Sequence, residues 1–96
     1  MTTLTTKPLE RTDHVVKLYD PYKVLLHNDD HNDVDHVIVS LIKALPQLSK
    51  QEAQNITQEA HTSGVALVIA CPLEHAEMYQ DRLKSFGLTS TIEKGG

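Results

Sequence analysis

Hydrophobic residues recur at two spacings along this 96-residue chain, and together they predict three strands and three helices. Alternation of apolar and polar positions is typical of half-buried strands, whereas apolar positions three and four residues apart are typical of helices. The predicted elements, in chain order, are a strand over 22–27, helices over 34–45 and 49–64, a strand over 65–71, a helix over 72–86 and a strand over 88–93. This β-α-α-β-α-β order predicts an α+β fold, a small three-stranded antiparallel sheet packed with three helices.

Local signals predict where the helices end. Pro46 stops the first helix, and the sequence SKQE at residues 49–52 has the form of a capping box at the start of the second. Gly64 is placed to close the second helix in the left-handed conformation that glycine tolerates, and Gly87 closes the third. The run over 65–71 is continuous, apolar and β-rich, so we expect it to be the central strand, covered on both faces.

The first twenty residues show no sustained hydrophobic period. We expect residues 1–20 to be a flexible tail and residues 21–94 to form the folded domain. The step from Asp20 to Pro21 marks the boundary, because a residue before proline is biased towards extended conformations. With 40% hydrophobic and 23% charged residues, the chain has the balance of one globular domain.

Charge and cysteine content narrow the class of protein. Nine Lys and Arg against thirteen Asp and Glu give a net charge of −4, which argues against nucleic-acid binding because phosphate contacts need a basic face. The single cysteine, Cys71, excludes an intrachain disulfide and suits a reducing compartment. Neither a membrane-spanning run nor a signal-peptide pattern is present in the sequence, so we predict a cytoplasmic protein without membrane contact.

Enzyme chemistry finds little support in the sequence. Cys71 ends the apolar strand, where a buried thiol is inert by default. Ser49 and Ser63 have no evident base beside them, and the four glycines are scattered rather than gathered into a phosphate-binding loop. We therefore predict a protein that is not an enzyme and carries no cofactor.

The densest group of polar residues is the stretch 27–36, which contains three His and four Asp. Turn formation and helix capping by Asn32 or Asp33 is one interpretation. A divalent metal site is a second, although the glycine and glutamate of a calcium loop are missing. Recognition of an organic cation is a third, because an ammonium group binds best to several acceptors that carry net negative charge.

Three blocks of sequence resemble one protein family. They are YKVLLHNDD at residues 22–30, EAQ at 52–54 with AHTSG at 60–64, and STIEK at 90–94. Their order and spacing resemble those of the ClpS adaptors over residues 21–94. The resemblance implies an adaptor that binds substrates with a bulky apolar or aromatic first residue, known as N-degrons, and hands them to an Hsp100 unfoldase (ClpA or ClpC) of the Clp protease.

The same resemblance implies which residues bind the substrate. Those expected to hold the free α-amino group, directly or through water, are Asn28, Asp29, Asp30 and His61. Those expected to line the side-chain pocket are Leu26, Asn32, Val34, Val37, Thr57, Ala60 and Leu88, for which core packing is the alternative role. If His61 contributes, binding should weaken as the pH falls through about 6.5, because a protonated imidazole repels an incoming ammonium.

Several pocket positions depart from the family pattern. Family members usually carry Met where this chain has Val34 and Thr57, and Val where it has Ala60. These changes shorten or polarise the pocket wall, so we hypothesise a wider, shallower pocket with a changed preference among Leu, Phe, Tyr and Trp. Asn32 replaces a common Thr and can still donate to the peptide backbone.

The resemblance also implies a docking surface on the third helix. Glu74 and Glu77 match positions that contact the N-terminal domain of the unfoldase, whereas Tyr79 replaces a usual Lys; a solvated helix face is the alternative for both glutamates. Residues 1–20 would be engaged by the unfoldase during delivery, and the adaptor is expected to be a monomer.

Two other functions compete with the adaptor interpretation. They are a metal-binding protein and a purely structural interaction module, and both would use residues 27–36.

Overall fold

The computed structural model describes residues 21–95, and the predicted order of elements is confirmed there. The elements are β1 (Tyr22–His27), α1 (Val34–Ala44), α2 (Lys50–Ser63), β2 (Val65–Cys71), α3 (Leu73–Ser85) and β3 (Thr89–Lys94). The predicted flexible tail, residues 1–20, lies outside the described residues. None of the helices within the described residues is long and apolar enough to cross a membrane.

The three strands form one antiparallel sheet in the order β2-β1-β3. The prediction that residues 65–71 form the central strand, covered on both faces, is therefore wrong. β2 is an edge strand in which buried residues alternate with exposed ones, and Leu67 is 47% exposed. An uninterrupted apolar run does not reveal whether both faces of a strand are covered, because that depends on where the helices pack.

The ends of α2 follow from the sequence. The Ser49 hydroxyl accepts a hydrogen bond from the Glu52 amide at 3.0 Å, and the Glu52 carboxylate accepts one from the Ser49 amide at 2.8 Å. At the other end Gly64 has a φ of +90°, and its amide donates to the Ala60 carbonyl at 2.8 Å. Glycine tolerates this φ without strain. As a result, α2 stops immediately before β2 begins at Val65.

The helices cover one face of the sheet. α2 packs against β2, α3 packs against β3 and β1, and α1 rests mainly on α2 and α3. The core between them contains Val24, Leu26, Leu41, Leu45, Ala53, Ile56, Val68, Ala76 and Leu83. The packing leaves a concave space where β1 ends, between the first turn of α1 and the last turn of α2.

Candidate functional site

An open cavity of about 330 Å³ occupies this space. Its lining includes all the residues that the family resemblance assigned to the amino group and to the side-chain pocket, namely Asn28, Asp29, Asp30, His61, Leu26, Asn32, Val34, Val37, Thr57, Ala60 and Leu88. His27 and Asp33 line it as well. The fold therefore brings these residues together from β1, α1, α2, the loop after β1 and the turn before β3.

The cavity has an apolar floor and a polar rim. The buried residues in its lining are Leu26, Thr57, Ala60 and Leu88. The polar side chains of Asn28, Asp30 and His61 are exposed at the rim, and Val34 is also exposed there at 55%. A mostly apolar cavity with a few polar groups at one side is typical of sites that bind small ligands or single side chains.

A backbone hydrogen bond holds the loop after β1 beside the end of α2. The Asn28 amide donates to the Gly64 carbonyl at 3.0 Å, which extends the pairing of β1 with β2 by one further contact. His61 belongs to the last turn of α2, three residues before Gly64. The strand exit and the helix end thus form one wall of the cavity, to which Asn28 and His61 both contribute.

The Asp29 carboxylate organises the loop. Its Oδ1 accepts hydrogen bonds from the backbone amides of His31 and Asn32 at 2.9 and 3.1 Å, and its Oδ2 accepts one from the Thr89 hydroxyl at 3.2 Å. The Asn32 side-chain amide donates to Oδ1 at 3.0 Å and to Oδ2 at 3.2 Å. Most of the acceptor capacity of Asp29 is therefore used within the protein.

Asn32 links the same loop to the turn before β3. Besides contacting Asp29, its Nδ2 donates to the Gly87 carbonyl at 2.9 Å. Because these acceptors already occupy the two amide hydrogens, donation to a bound peptide would require one of the contacts to break. The expectation that Asn32 donates to a peptide backbone stays a prediction, and this geometry works against it.

The hydrogen bonds shift the titration of Asp29. Burial raises the pKa of its carboxyl, but hydrogen bonds from the His31 amide, the Asn32 side chain and the Thr89 hydroxyl together outweigh burial. The pKa of Asp29 consequently lies below its ordinary value. The ionised form is the one that holds the loop together.

This shift predicts acid sensitivity of the fold. Because the folded-state pKa of Asp29 is lowered, its contribution to the free energy of unfolding is present above the unfolded-state value of about 3.9 and is lost as the pH falls through the folded-state value. We expect Asp29→Asn to flatten the loss of stability as the pH falls below about 5, measured by urea unfolding. The exposed Asp81→Asn is the matched control; a wild-type pH slope for Asp29→Asn would refute the assignment.

The other acidic residues of the loop have different surroundings. Asp33 caps α1, since its carboxylate accepts a hydrogen bond from the His36 amide at 2.8 Å. Asp30 is exposed beside the cavity, and no donor or cation within residues 21–95 contacts its carboxylate. Turn formation and capping therefore account for Asp29 and Asp33 but leave Asp30 without a structural role.

Two residues of the cavity lining, Asp33 and His27, were not among the predicted site residues. Asp33 caps α1. His27 is the last residue of β1. It follows Leu26 in β1, so strand alternation directs it to the opposite face of the sheet. Its Nε2 lies 2.7 Å from the Thr91 hydroxyl of β3. Because it is the last residue of β1, it still borders the cavity. The available signal was that both residues belong to the polar stretch 27–36.

The predicted docking residues lie outside the cavity. Glu74 and Glu77 are exposed in the first turns of α3. Tyr79 is partly buried, and its hydroxyl accepts a hydrogen bond from Gln47 at 3.0 Å. The Arg82 guanidinium lies 5.8 Å from the centre of the Tyr79 ring. Tyr79 therefore has packing partners of its own, whereas both glutamates face solvent.

Metal and thiol chemistry gain no support from the described residues. Across residues 21–95, no three or more His, Cys, Asp or Glu side chains are grouped as a metal site requires. Burial raises the pKa of the Cys71 thiol, which disfavours the reactive thiolate.

Comparison with known proteins identifies relatives of both the sequence and the fold. The family described as "ATP-dependent Clp protease adaptor protein ClpS" matches residues 17–91. A ClpS of Gloeobacter violaceus is 48% identical over 90 residues, covering 94% of this chain and 97% of that protein. The chloroplastic adapter protein CLPS1 of Chlamydomonas reinhardtii is 46% identical over 94 residues, covering 98% of this chain and 58% of that protein.

A solved structure agrees with these sequence matches. Agrobacterium tumefaciens ClpS2 bound to L-phenylalaninamide superposes with a TM-score of 0.75 at 28% identity, covering 79% of this chain and 98% of that chain. The predictions of the family, of the fold class and of a protein that is not an enzyme are confirmed. The chain belongs to the ClpS family of adaptors of the ATP-dependent Clp protease.

Proposed function

We propose that this chain binds the free α-amino group and the bulky hydrophobic first residue of N-degron substrates and delivers them to an Hsp100 unfoldase. The observation that carries the proposal is the carboxylate of Asp30 at the rim of an apolar cavity, which no residue in the described part of the chain compensates. The similar ClpS2 of A. tumefaciens is bound to L-phenylalaninamide, a molecule with a free amino group next to an aromatic side chain.

The rim supplies what an ammonium group needs. An ammonium has three donors and one positive charge, and it binds best to acceptors of net negative charge. The Asp30 carboxylate, the Asn28 side-chain oxygen and a neutral His61 imidazole provide three acceptors beside the cavity. Asp29 adds a second negative charge to the site, while its hydrogen bonds keep the loop in shape.

The floor supplies what a large apolar side chain needs. Leu26, Ala60 and Leu88 are buried beneath the opening, and Val34 and Val37 of α1 form its side. Burying a Leu or Phe side chain contributes about 1.5–3 kcal/mol, and a charge-assisted hydrogen bond contributes a similar amount. After the cost of ordering two partners, roughly micromolar affinity remains, which suits a carrier that must release its load.

Delivery requires a second surface that leaves the cavity free. Glu74 and Glu77 lie on α3, outside the cavity, and are exposed. We assign them to the N-terminal domain of ClpA or ClpC, with residues 1–20 engaged by the unfoldase during transfer. The adaptor acts as a monomer in the cytoplasm.

The experiment that tests the binding proposal compares a Phe-initiated peptide with its N-acetylated twin. Acetylation removes the positive charge and two donors but leaves the side chain unchanged. We expect calorimetric titration of the full chain to show a loss of affinity of about a hundredfold or more, because charge-assisted hydrogen bonds are lost together. A third peptide that begins with Ala tests the pocket. Equal affinities for the free and acetylated peptides would exclude recognition of the amino group.

A further inference from the structure

Thr57 is a polar residue in the otherwise apolar floor of the cavity. Of the four buried residues in the lining, Thr57 alone carries a polar side-chain atom, and it is 6% exposed. The other buried polar residues of the described chain, Ser40 and Ser90, do not line the cavity. A hydroxyl at this depth influences which side chains the floor accepts.

The hydrogen bond that Thr57 already makes determines what it can offer to a ligand. Its hydroxyl donates to the Ala53 carbonyl, one turn earlier in α2, at 2.8 Å. A hydroxyl has one hydrogen and two lone pairs, so the donor is used and acceptor capacity remains. Thr57 can therefore accept a hydrogen bond from a guest, but it cannot donate one without losing its contact with Ala53.

Bulky first residues differ in what they would present to this oxygen. Leu and Phe present only carbon atoms, whereas Tyr has a phenolic O–H and Trp has an indole N–H. Buried Tyr and Trp side chains usually find a partner for this donor, and a buried donor without one is strongly disfavoured. A floor made only of Leu and Ala would penalise both residues.

We propose that the oxygen of Thr57 accepts a hydrogen bond from the first side chain of the substrate. The preferred substrates are then those that begin with an aromatic residue carrying a donor, Tyr or Trp, ahead of Phe and Leu. This inference rests on the proposed function of the cavity and specifies its substrate class. It also gives a direction to the changed pocket preference that Val34, Thr57 and Ala60 lead us to expect.

The other polar side chains that line the cavity are only partly buried or are exposed. The donors of Asn32 are engaged by Asp29 and Gly87. The exposed groups of Asn28 and Asp30 lie at the rim, where the amino group binds in our proposal. Thr57 thus carries the one buried side-chain acceptor among the described residues that line the cavity.

The test uses two pairs of peptides that differ only in a donor on the first side chain. One pair begins with Tyr or Phe, and the other begins with Trp or 1-methyltryptophan, which lacks the indole N–H. Thr57→Val removes the oxygen but keeps the branched shape, and Thr57→Ser keeps the hydroxyl. In the wild-type protein and in Thr57→Ser we expect the donor-bearing peptide to bind about three- to tenfold tighter, and in Thr57→Val we expect this advantage to disappear.

The outcomes separate this inference from the function on which it rests. If the Phe peptide binds but Tyr and Trp gain nothing over their partners in the wild-type protein, the role of Thr57 is overturned and amino-group recognition stands. The same conclusion follows if Thr57→Val leaves the donor advantage intact. If the Phe peptide and its acetylated twin bind equally, the proposed function fails as well. The wild-type comparisons need no variant, so they stand even if Thr57→Val does not fold.

Discussion

Asp30→Asn is expected to weaken binding of a Phe-initiated peptide by about tenfold to a hundredfold, the loss of one charge-assisted hydrogen bond. The substitution preserves the shape of the side chain and removes its negative charge. Because no donor or cation within the described residues contacts the Asp30 carboxylate, the domain itself should not be destabilised. Calorimetric titration measures the affinity, and thermal unfolding measures the stability.

Asp35→Asn is the matched control for this experiment. Asp35 lies five residues along the chain, is exposed in the first turn of α1 and does not line the cavity. The control changes the net charge by the same amount, so it reports any long-range effect of charge. Equal losses for the two variants would mean that general electrostatic attraction, and not a contact with Asp30, holds the ammonium group.

Ala60→Leu is expected to reduce the affinity for Phe- and Leu-initiated peptides by about tenfold to a hundredfold. This range corresponds to losing the burial of the peptide's first side chain in the cavity. Ala60 lies in the floor of the cavity and is 3% exposed, so the three added carbon atoms occupy the space meant for the guest. Because Ala60 is also a buried residue of the core, thermal unfolding measures whether the larger side chain is accommodated without loss of stability.

Ala60→Ser is the matched control, because it adds a single atom at the same position. We expect it to bind the same peptides with nearly wild-type affinity. Wild-type affinity of a folded Ala60→Leu variant would show that the first side chain binds somewhere other than this cavity. The prediction concerns the side-chain pocket alone, whereas the Asp30 variant concerns the amino group, so the two experiments test separate halves of the proposal.

The different surroundings of Asp29 and Asp30 explain an otherwise unfavourable pair of carboxylates. Adjacent like charges raise the cost of ionising both unless donors or cations compensate them. Asp29 is compensated internally by two backbone amides and by the side chains of Asn32 and Thr89. Asp30 has no such partners among residues 21–95, which leaves its charge for a ligand. Both residues were predicted to bind the amino group, and in our proposal Asp30 makes the direct contact while Asp29 stands beside it.

Strand β2 shows the limit of a hydrophobicity pattern. Residues 65–71 form a strand as predicted, yet the strand lies at the edge of the sheet. Leu67 pairs with Leu25 of β1. Its side chain lies on the face of the sheet that the helices do not cover, so it is exposed. Apolar composition predicts that a segment is extended, but its position in the sheet depends on which strands pair with it.

The sequence alone determined the order of the elements, the capped ends of α2, the family and the residues that surround the site. These features depend on local periodicity, on short-range hydrogen bonds such as the one between Ser49 and Glu52, and on motifs that are read residue by residue. Only the tertiary structure decided which polar groups are already satisfied. The contacts of Asn32 with Gly87 and of Asp29 with Thr89 join the loop after β1 to residues more than fifty positions further along the chain. No local pattern encodes which of these side chains remains free for a ligand.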